Sequence, residues 1–420
     1  MSKFYDWLIG EQKNQTASNF FWNMTGSMSL ALGTMMLTIL VNRIVGDYAG
    51  GDFAMALATS QLMSTIGYFE TRTYQVTDTK KVFSFSDYYT TRLITDLLMI
   101  VCSVVYIFFK GYSFEKSILV MMLCVYKMLD TFADVFEGEF QQNDRLDVSG
   151  KSMTIRTVFS IIALVVILFI TKNIYFSMII AIIVALICVY FTNIRIITNF
   201  SEYSLNLNFL VIKKIISECV PLFASVFMST YVLNASRYAI EANLPSNFHS
   251  KYTAIFLPVS TINLLIGFIF KPMLTTMAKK WNDGYHKEFM KTISIVLLGV
   301  CLVTLCAILG AYFLGIPVLS FLYNTDLNRF KSALLILLIG GGLNAANVIL
   351  YYALSVMRKQ KVIMLTYIIT FISSLIIPNF LTKMYSINGA AWSFVIVMFI
   401  LFIQSLFFVL LSSFKSNKNY

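Results

Sequence analysis

The sequence predicts an all-α, polytopic membrane fold of about twelve transmembrane helices in two six-helix bundles. Three observations predict it. Apolar stretches of about twenty residues recur along nearly all of the chain. As helices they are long enough to cross a hydrocarbon core of roughly 30 Å. Of the 420 residues, 58% are hydrophobic and 13% charged, against about 25% charged in a soluble protein. The gaps between stretches are short, so no separate soluble domain is expected.

The expected spans are 20–41, 53–69, 89–109, 117–136, 157–171, 174–194, 220–240, 252–277, 289–314, 332–356, 362–381 and 389–413. Only Lys172 and Asn173 separate the fifth from the sixth, which makes a tight helical hairpin. The longest connection, 198–218, mixes Leu205, Leu207, Phe209, Leu210, Ile212, Ile215 and Ile216 with Lys213 and Lys214. It is expected to lie along the inner membrane face as an amphipathic segment. It divides the chain into an N-terminal bundle, 1–204, and a C-terminal bundle, 205–420.

Basic residues orient the spans. With the N-terminus cytoplasmic, about 21 of the 32 Lys and Arg fall inside and about nine outside. Both termini are therefore expected in the cytoplasm. The formal charge of +11 follows from this bias and fits anionic lipid headgroups rather than nucleic acid. A cleavable signal peptide is not expected, because 1–17 is polar with a few aromatics and the first span is too long for an h-region. The six cysteines lie in or beside apolar spans and read as small apolar residues.

The halves carry a similar pattern at an offset of about 199 residues. Gly67, Arg72, Lys80-Lys81 and Arg92 are matched by Gly267, Lys271, Lys279-Lys280 and Lys291, and Arg43 is matched by Arg237. Parallel repeats imply a pseudo-two-fold axis along the membrane normal, with the substrate path between the halves. Enzymatic constellations are missing. His249 and His286 both fall in loops, where an intramembrane base or ligand would not sit. Gly150-Lys151-Ser152 resembles the end of a phosphate-binding loop, but Arg145 stands where its leading glycine belongs. Gly340-Gly341-Gly342 sits at helical depth and reads as a close-packing surface. No ATP, metal or cofactor site is expected.

Charges inside the bilayer cost roughly 2.5–3.5 kcal/mol each on insertion scales, so each needs a partner or water. Lys127, Asp130 and Asp134 share one face of the fourth span. They form either a dry ion pair or the wall of a wet cavity, in which Lys127 meets an anionic substrate and the aspartates bind a coupling cation. Arg237 and Glu241 end the seventh span, and Asn42-Arg43 end the first. These arginines either snorkel to headgroups or line an outer mouth. Glu70 and Arg72 follow the second span, and Lys271 with Pro272 interrupts the eighth, where Pro258 and Pro272 free carbonyls. Arg92 and Asp96 form an i,i+4 pair of structural character. Together Arg43, Arg72, Lys127, Arg237 and Lys271 make a column of candidate substrate-binding cations, with Asp130 and Asp134 as candidate ion-coupling residues. Such a column suits a polyanion such as a pyrophosphate headgroup, which arginine recognises in bidentate fashion.

Local motifs carry a resemblance. Residues 67–92 read GYFETRTYQVTDTKKVFSFSDYYTTR, 134–152 DVFEGEFQQNDRLDVSGKS, 234–241 NASRYAIE, 262–289 INLLIGFIFKPMLTTMAKKWNDGYHKEF and 387–392 INGAAW. In this order the chain resembles the polysaccharide transporter family, the Wzx-type flippases of the MATE-like MOP superfamily. The resemblance implies two six-helix bundles around a central cavity. It also implies transfer of an undecaprenyl-pyrophosphate-linked oligosaccharide from the inner to the outer leaflet, driven by an ion gradient or the membrane potential. The implied partners are that lipid-linked substrate, membrane lipids and the polysaccharide polymerase machinery. A multidrug antiporter of the same fold is the alternative, although its cationic substrates would favour an acidic cavity. A membrane polymerase or glycosyltransferase would need larger outer loops than this chain has.

Overall fold

A computed structural model of the chain describes residues 2–10, 14–78, 81–270, 277, 279–281 and 283–417. Nearly all of them are helical, and among the described residues there is no strand. The chain divides into two compact units, Met1–Phe227 and Met228–Tyr420.

In the first unit a short helix α1 (Ser2–Ile9) precedes α2 (Gln15–Val45), α3 (Asp47–Tyr68), α4 (Thr71–Thr77), α5 (Phe85–Lys110), α6 (Phe114–Gln142), α7 (Leu146–Thr171) and α8 (Ile174–Val189). A π-helical turn, Tyr190–Ile194, and α9 (Arg195–Ile197) close the run, and α10 (Phe209–Asn243) leads into the second unit. Local chemistry fixes the helix starts. Asn14 caps α2 through the Ala17 N–H. Ser84 and Asp87 form a capping box on α5, and Ser113 caps α6. Asn173 caps α8 right after Lys172 turns left-handed at φ 56°, which is the tight hairpin expected from sequence.

Helix α2 lies along α7, α7 along α8, and α6 against α3 and α5. Glycine permits the closest crossing. A Cβ on Gly150 would stand 2.2 Å from the Trp22 carbonyl oxygen, so α2 and α7 meet backbone to backbone. That is the structural use of the Gly150-Lys151-Ser152 run.

Helix α5 shows how the unit suits lipid. Its buried side carries Thr91, Arg92, Thr95, Asp96 and Ser103, while Leu97, Val101, Val104 and Phe108 face outward. Polar groups turn inward because hydrocarbon offers them no hydrogen bonds. Beside α1 and α4 the interior is aromatic, with Phe69, Phe85, Tyr88, Phe136 and Phe140 packed together.

In the expected amphipathic connection the structure places the start of a long helix. From Phe209 onward the chain is already helical and continuous with the seventh span. Ile215 and Cys219 are fully buried in the aromatic cluster, and Phe223 stacks on Phe69 at 4.3 Å. Ile212, Ile215 and Cys219 cover protein, whereas Leu205, Leu207, Phe209 and Leu210 are 65%, 65%, 75% and 81% exposed, so the stretch keeps an apolar surface as well as a packed side. The stretch before Phe209 docks on α5. The Asn206 amide donates to Asp87 at 2.7 Å, and its backbone N–H to Thr90 at 2.9 Å.

The second unit contains the rest of α10, then α11 (Ser246–Phe270), α12 (His286–Gly310), a π-helical turn Ala311–Gly315, α13 (Ile316–Tyr323), α14 (Lys331–Val356) and α15 (Gln360–Asn417). Ser386 breaks α15 at φ 54°, ψ −135°, so two helices follow one another there, as the two final spans require. The three consecutive glycines of α14 let its neighbours in. A Cβ on Gly340 would come within 2.5 Å of Phe394, one on Gly341 within 3.0 Å of Val259, and one on Gly342 within 2.5 Å of Thr304.

Seven helical runs among the described residues are long and apolar enough to cross a membrane. Helices α3, α6, α10 and α11 are 22, 29, 35 and 25 residues long and carry more polar groups. On α6 those groups are the candidate site.

Candidate functional site

Helix α6 presents Lys127, Asp130, Asp134 and Glu137 on one face, at spacings that bring successive side chains to the same side of the helix. Its neighbours answer with three arginines. Lys127 Nζ donates to Asp130 Oδ2 at 3.0 Å, and Arg156 Nε of α7 to Asp130 Oδ1 at 2.9 Å. Arg156 Nη1 also donates to Glu137 Oε1 at 2.8 Å. Arg72 Nη1 of α4 lies 3.3 Å from Glu137 Oε2 and 2.9 Å from Asp134 Oδ1. Arg92 Nη2 of α5 donates to Asp134 Oδ2 at 2.8 Å. The result is an alternating ladder: Lys127, Asp130, Arg156, Glu137, Arg72, Asp134, Arg92. Each carboxylate gives its two oxygens to two different cations.

Side chains around the ladder complete it. Gln141 accepts from Arg72 Nη2 at 2.9 Å, and Ser149 from the same nitrogen at 3.1 Å. Arg92 Nη1 donates to the Gly67 carbonyl. Gly67 is the close approach that allows this, because a Cβ there would lie 2.9 Å from both Met99 and Thr131.

The sequence reading named Lys127, Asp130, Asp134 and Arg72, and the structure brings all four together. It missed Arg156 and Glu137. Arg156 lies one residue before the fifth expected span, 157–171, whereas α7 begins at Leu146 and carries it inside the helix. Glu137 continues the α6 stripe three residues beyond Asp134, so the spacing itself was the available signal. The reading also paired Arg92 with Asp96, and the structure corrects this. Arg92 turns to Asp134 and Gly67, and among the described residues Asp96 has no cation within ion-pair distance. Asp96 Oδ1 instead meets the Thr131 hydroxyl at 2.6 Å.

A second group of charges pins the N-terminus. Lys151 Nζ, 1% exposed, donates to the Trp7 and Leu8 carbonyls at 3.0 and 3.2 Å and to Asp147 at 3.2 Å. It thereby satisfies carbonyls at the end of α1 that have no helical partner. The rings of Trp7 and Trp22 lie 5.2 and 5.7 Å from the ammonium.

The candidates outside the ladder lie apart from it in the sequence. Arg43 is exposed in the last turn of α2. Lys271 falls outside the described residues. Arg237 lies on α10 within the second unit, with its guanidinium 4.9 Å from the Phe256 ring and Nη1 donating to Asn234 at 3.2 Å. Its buried Nε has no hydrogen-bond partner, and among the described residues no carboxylate pairs with it. The hydroxyl of neighbouring Tyr252 is likewise buried without a hydrogen-bond partner.

No family model matches the chain. It is 24% identical over 405 residues to the capsular polysaccharide biosynthesis protein CapF of Staphylococcus aureus, covering 93% of this chain and 98% of that one. Among solved structures it is similar to a multidrug resistance MATE family transporter of the MOP superfamily in its inward-facing conformation. The TM-score is 0.68 at 12% identity, over 92% of this chain and 95% of that one. An outward-facing conformation of such a transporter matches with a TM-score of 0.59 at 12% identity, over 99% of both chains. The MATE-like fold anticipated from the motifs is therefore the fold of this chain. The protein is a multi-pass protein of the cell membrane.

Proposed function

From the fold of the MOP-superfamily transporters, we propose that this chain is a flippase and not an enzyme. It carries an undecaprenyl-pyrophosphate-linked oligosaccharide from the inner to the outer leaflet by alternating access. Twelve crossings with both termini cytoplasmic match the distribution of basic residues. A repeat unit of a surface polysaccharide is the cargo that fits the name of the capsular relative.

The observation that carries this reading is the difference in how the cations are neutralised. In the ladder Lys127, Arg72, Arg92 and Arg156 all face carboxylates. Arg237 has a carbonyl-type partner in Asn234 and an aromatic face, but no counter-charge among the described residues. A guanidinium left this way in a membrane protein is a receptor for an anion, and phosphate oxygens suit its fork. Arg237 is thus the principal contact for the pyrophosphate, with Arg43 and Lys271 as further cationic contacts. Lys127 and Arg72 reach the headgroup only by exchanging a carboxylate for it. Because no carboxylate pairs with Arg237 among the described residues, a cationic drug would meet an uncompensated positive charge there, which disfavours the multidrug alternative.

The test is reconstitution into vesicles with a lipid-linked oligosaccharide, reading the leaflet that holds the sugar. Transfer by the wild type and its loss in Arg237→Ala support the proposal. Transfer of a cationic dye but not of the lipid-linked sugar would overturn it.

A further inference from the structure

Two buried polar atoms at the end of the ladder lack partners, and they stand one helical turn apart. Asp96 Oδ2 and Arg92 Nε are both shielded from solvent and both without a hydrogen bond. Asp96 is 4% exposed and Arg92 0%. An ionised carboxylate in such a place, with no cation against it, is strongly disfavoured.

Hydrogen counting points the same way. The Thr131 hydroxyl has one hydrogen and two neighbouring acceptors, Asp96 Oδ1 at 2.6 Å and the Met128 carbonyl at 2.9 Å. If the hydroxyl donates to the carbonyl, the short contact with Asp96 needs a hydrogen from Asp96 itself. A carboxylic acid supplies it.

We propose that Asp96 is a proton site, protonated in this conformation, and that on releasing its proton to water it pairs with the vacant Nε of Arg92. The charged and titratable groups facing it are few. They are Arg92 on its own helix and Asp134 on α6, and the Arg92 guanidinium in turn lies 5.9 Å from the Tyr68 ring at the end of α3. Arg72 of α4 reaches the same Asp134 at 2.9 Å. The ladder proper holds four cations and three carboxylates. Loss of the Asp96 proton therefore makes it electrically balanced, and gain of the proton leaves one positive charge in excess. Arg92 is the movable link, since turning to Asp96 draws it from Asp134 and disturbs every rung beyond. This assigns the coupling ion as a proton and places it at Asp96 rather than at Asp130 or Asp134, whose oxygens are already taken. It rests on the transporter reading only for its purpose in the cycle; the proton itself is a property of the folded chain.

The experiment uses the full chain in lipid nanodiscs without substrate, so that it succeeds or fails independently of the flippase reading. Infrared difference spectra between pH 5 and pH 9 report protonated carboxyl groups. The wild type is expected to lose a protonated-carboxyl band as pH rises, and Asp96→Asn to lack that band while keeping its fold. Thr131→Val is expected to move the band, because the hydroxyl bonds the group that produces it. Arg92→Gln is expected to hold the proton at pH values where the wild type has released it. Absence of a titrating band in the wild type, or the same band in Asp96→Asn, overturns the proposal.

Discussion

Arg156 on α7 holds Asp130 and Glu137 of α6 together, at 2.9 and 2.8 Å, across two turns of that helix. Its guanidinium is the rung through which Lys127 communicates with Arg72. Replacement by alanine takes one of two cationic partners from each of two buried carboxylates, leaving Asp130 with Lys127 and Glu137 with Arg72. Arg156→Ala is therefore expected to destabilise the protein by about 3–5 kcal/mol, the usual result of breaking a buried pair from one side. Thermal unfolding in detergent would measure it. Arg156→Lys is expected to recover part of the loss, because one ammonium cannot span both acids as a planar fork does.

Arg237 and Lys127 should behave oppositely. Arg237→Ala removes a cation that pairs with no carboxylate among the described residues, so the fold is expected to persist while lipid-linked sugar accumulates on the inner leaflet. Lys127→Ala leaves Asp130 with Arg156 alone and is expected to cost about 1–3 kcal/mol in stability. Leaflet-resolved transport and unfolding temperature, taken on the same two variants, separate these outcomes. A normal transport rate in Arg237→Ala would refute the anion role.

Lys151 ties α1 to the bundle through two main-chain carbonyls and Asp147. Lys151→Met keeps much of the apolar stem but removes every donor. The expected result is release of the N-terminal helix, seen as faster tryptic cleavage after Lys3 within α1. A loss of about 1.4 kcal/mol in local stability corresponds to roughly a tenfold rate increase. Unchanged cleavage would mean that packing of Leu8 alone secures the segment.

The connection between α4 and α5 should respond to acid. Burial pushes the Asp78 carboxyl up, but the N–H groups of Val82 and Phe83 and the Tyr88 hydroxyl together hold it below the usual carboxylate range. A group whose acidity is enhanced by folding stabilises the native form at neutral pH. That contribution fades as pH falls through the native value. Amide exchange at Val82 and Phe83, measured relative to its intrinsic rate at each pH, is accordingly expected to accelerate below about pH 4 in the wild type. In Asp78→Asn it is expected to be fast already at neutral pH.

The membrane fold was legible because hydrocarbon imposes a coarse rule of length and polarity that single stretches obey. The hairpin at Lys172 and Asn173 and the two final spans were readable for that reason. The site was legible only along one helix. Lys127, Asp130 and Asp134 could be joined by i,i+3 and i,i+4 reasoning, because that geometry is local. Arg156, Arg72 and Arg92 come from three other helices, and no periodicity within a single segment reports which helices touch. The same limit explains the mistaken pairing of Arg92 with Asp96. Local spacing favoured a neighbour four residues away, while the packed helices offered Asp134, 42 residues along the chain. From Phe209 the sequence shows amphipathicity, but not which apolar residues pack toward Phe69 and which stay exposed.

Because Asp130, Asp134 and Glu137 of α6 each serve two cations, no single charge in that series can be retired alone. Deleting one base takes a partner from each acid it touches, and deleting one acid takes a partner from two bases. Lineages that replace Asp130 should therefore also neutralise Lys127 or Arg156, and random mutagenesis should recover tolerated changes here as matched doubles rather than isolated hits. The ladder would then drift through evolution as a block, with opposite charges leaving or arriving in company.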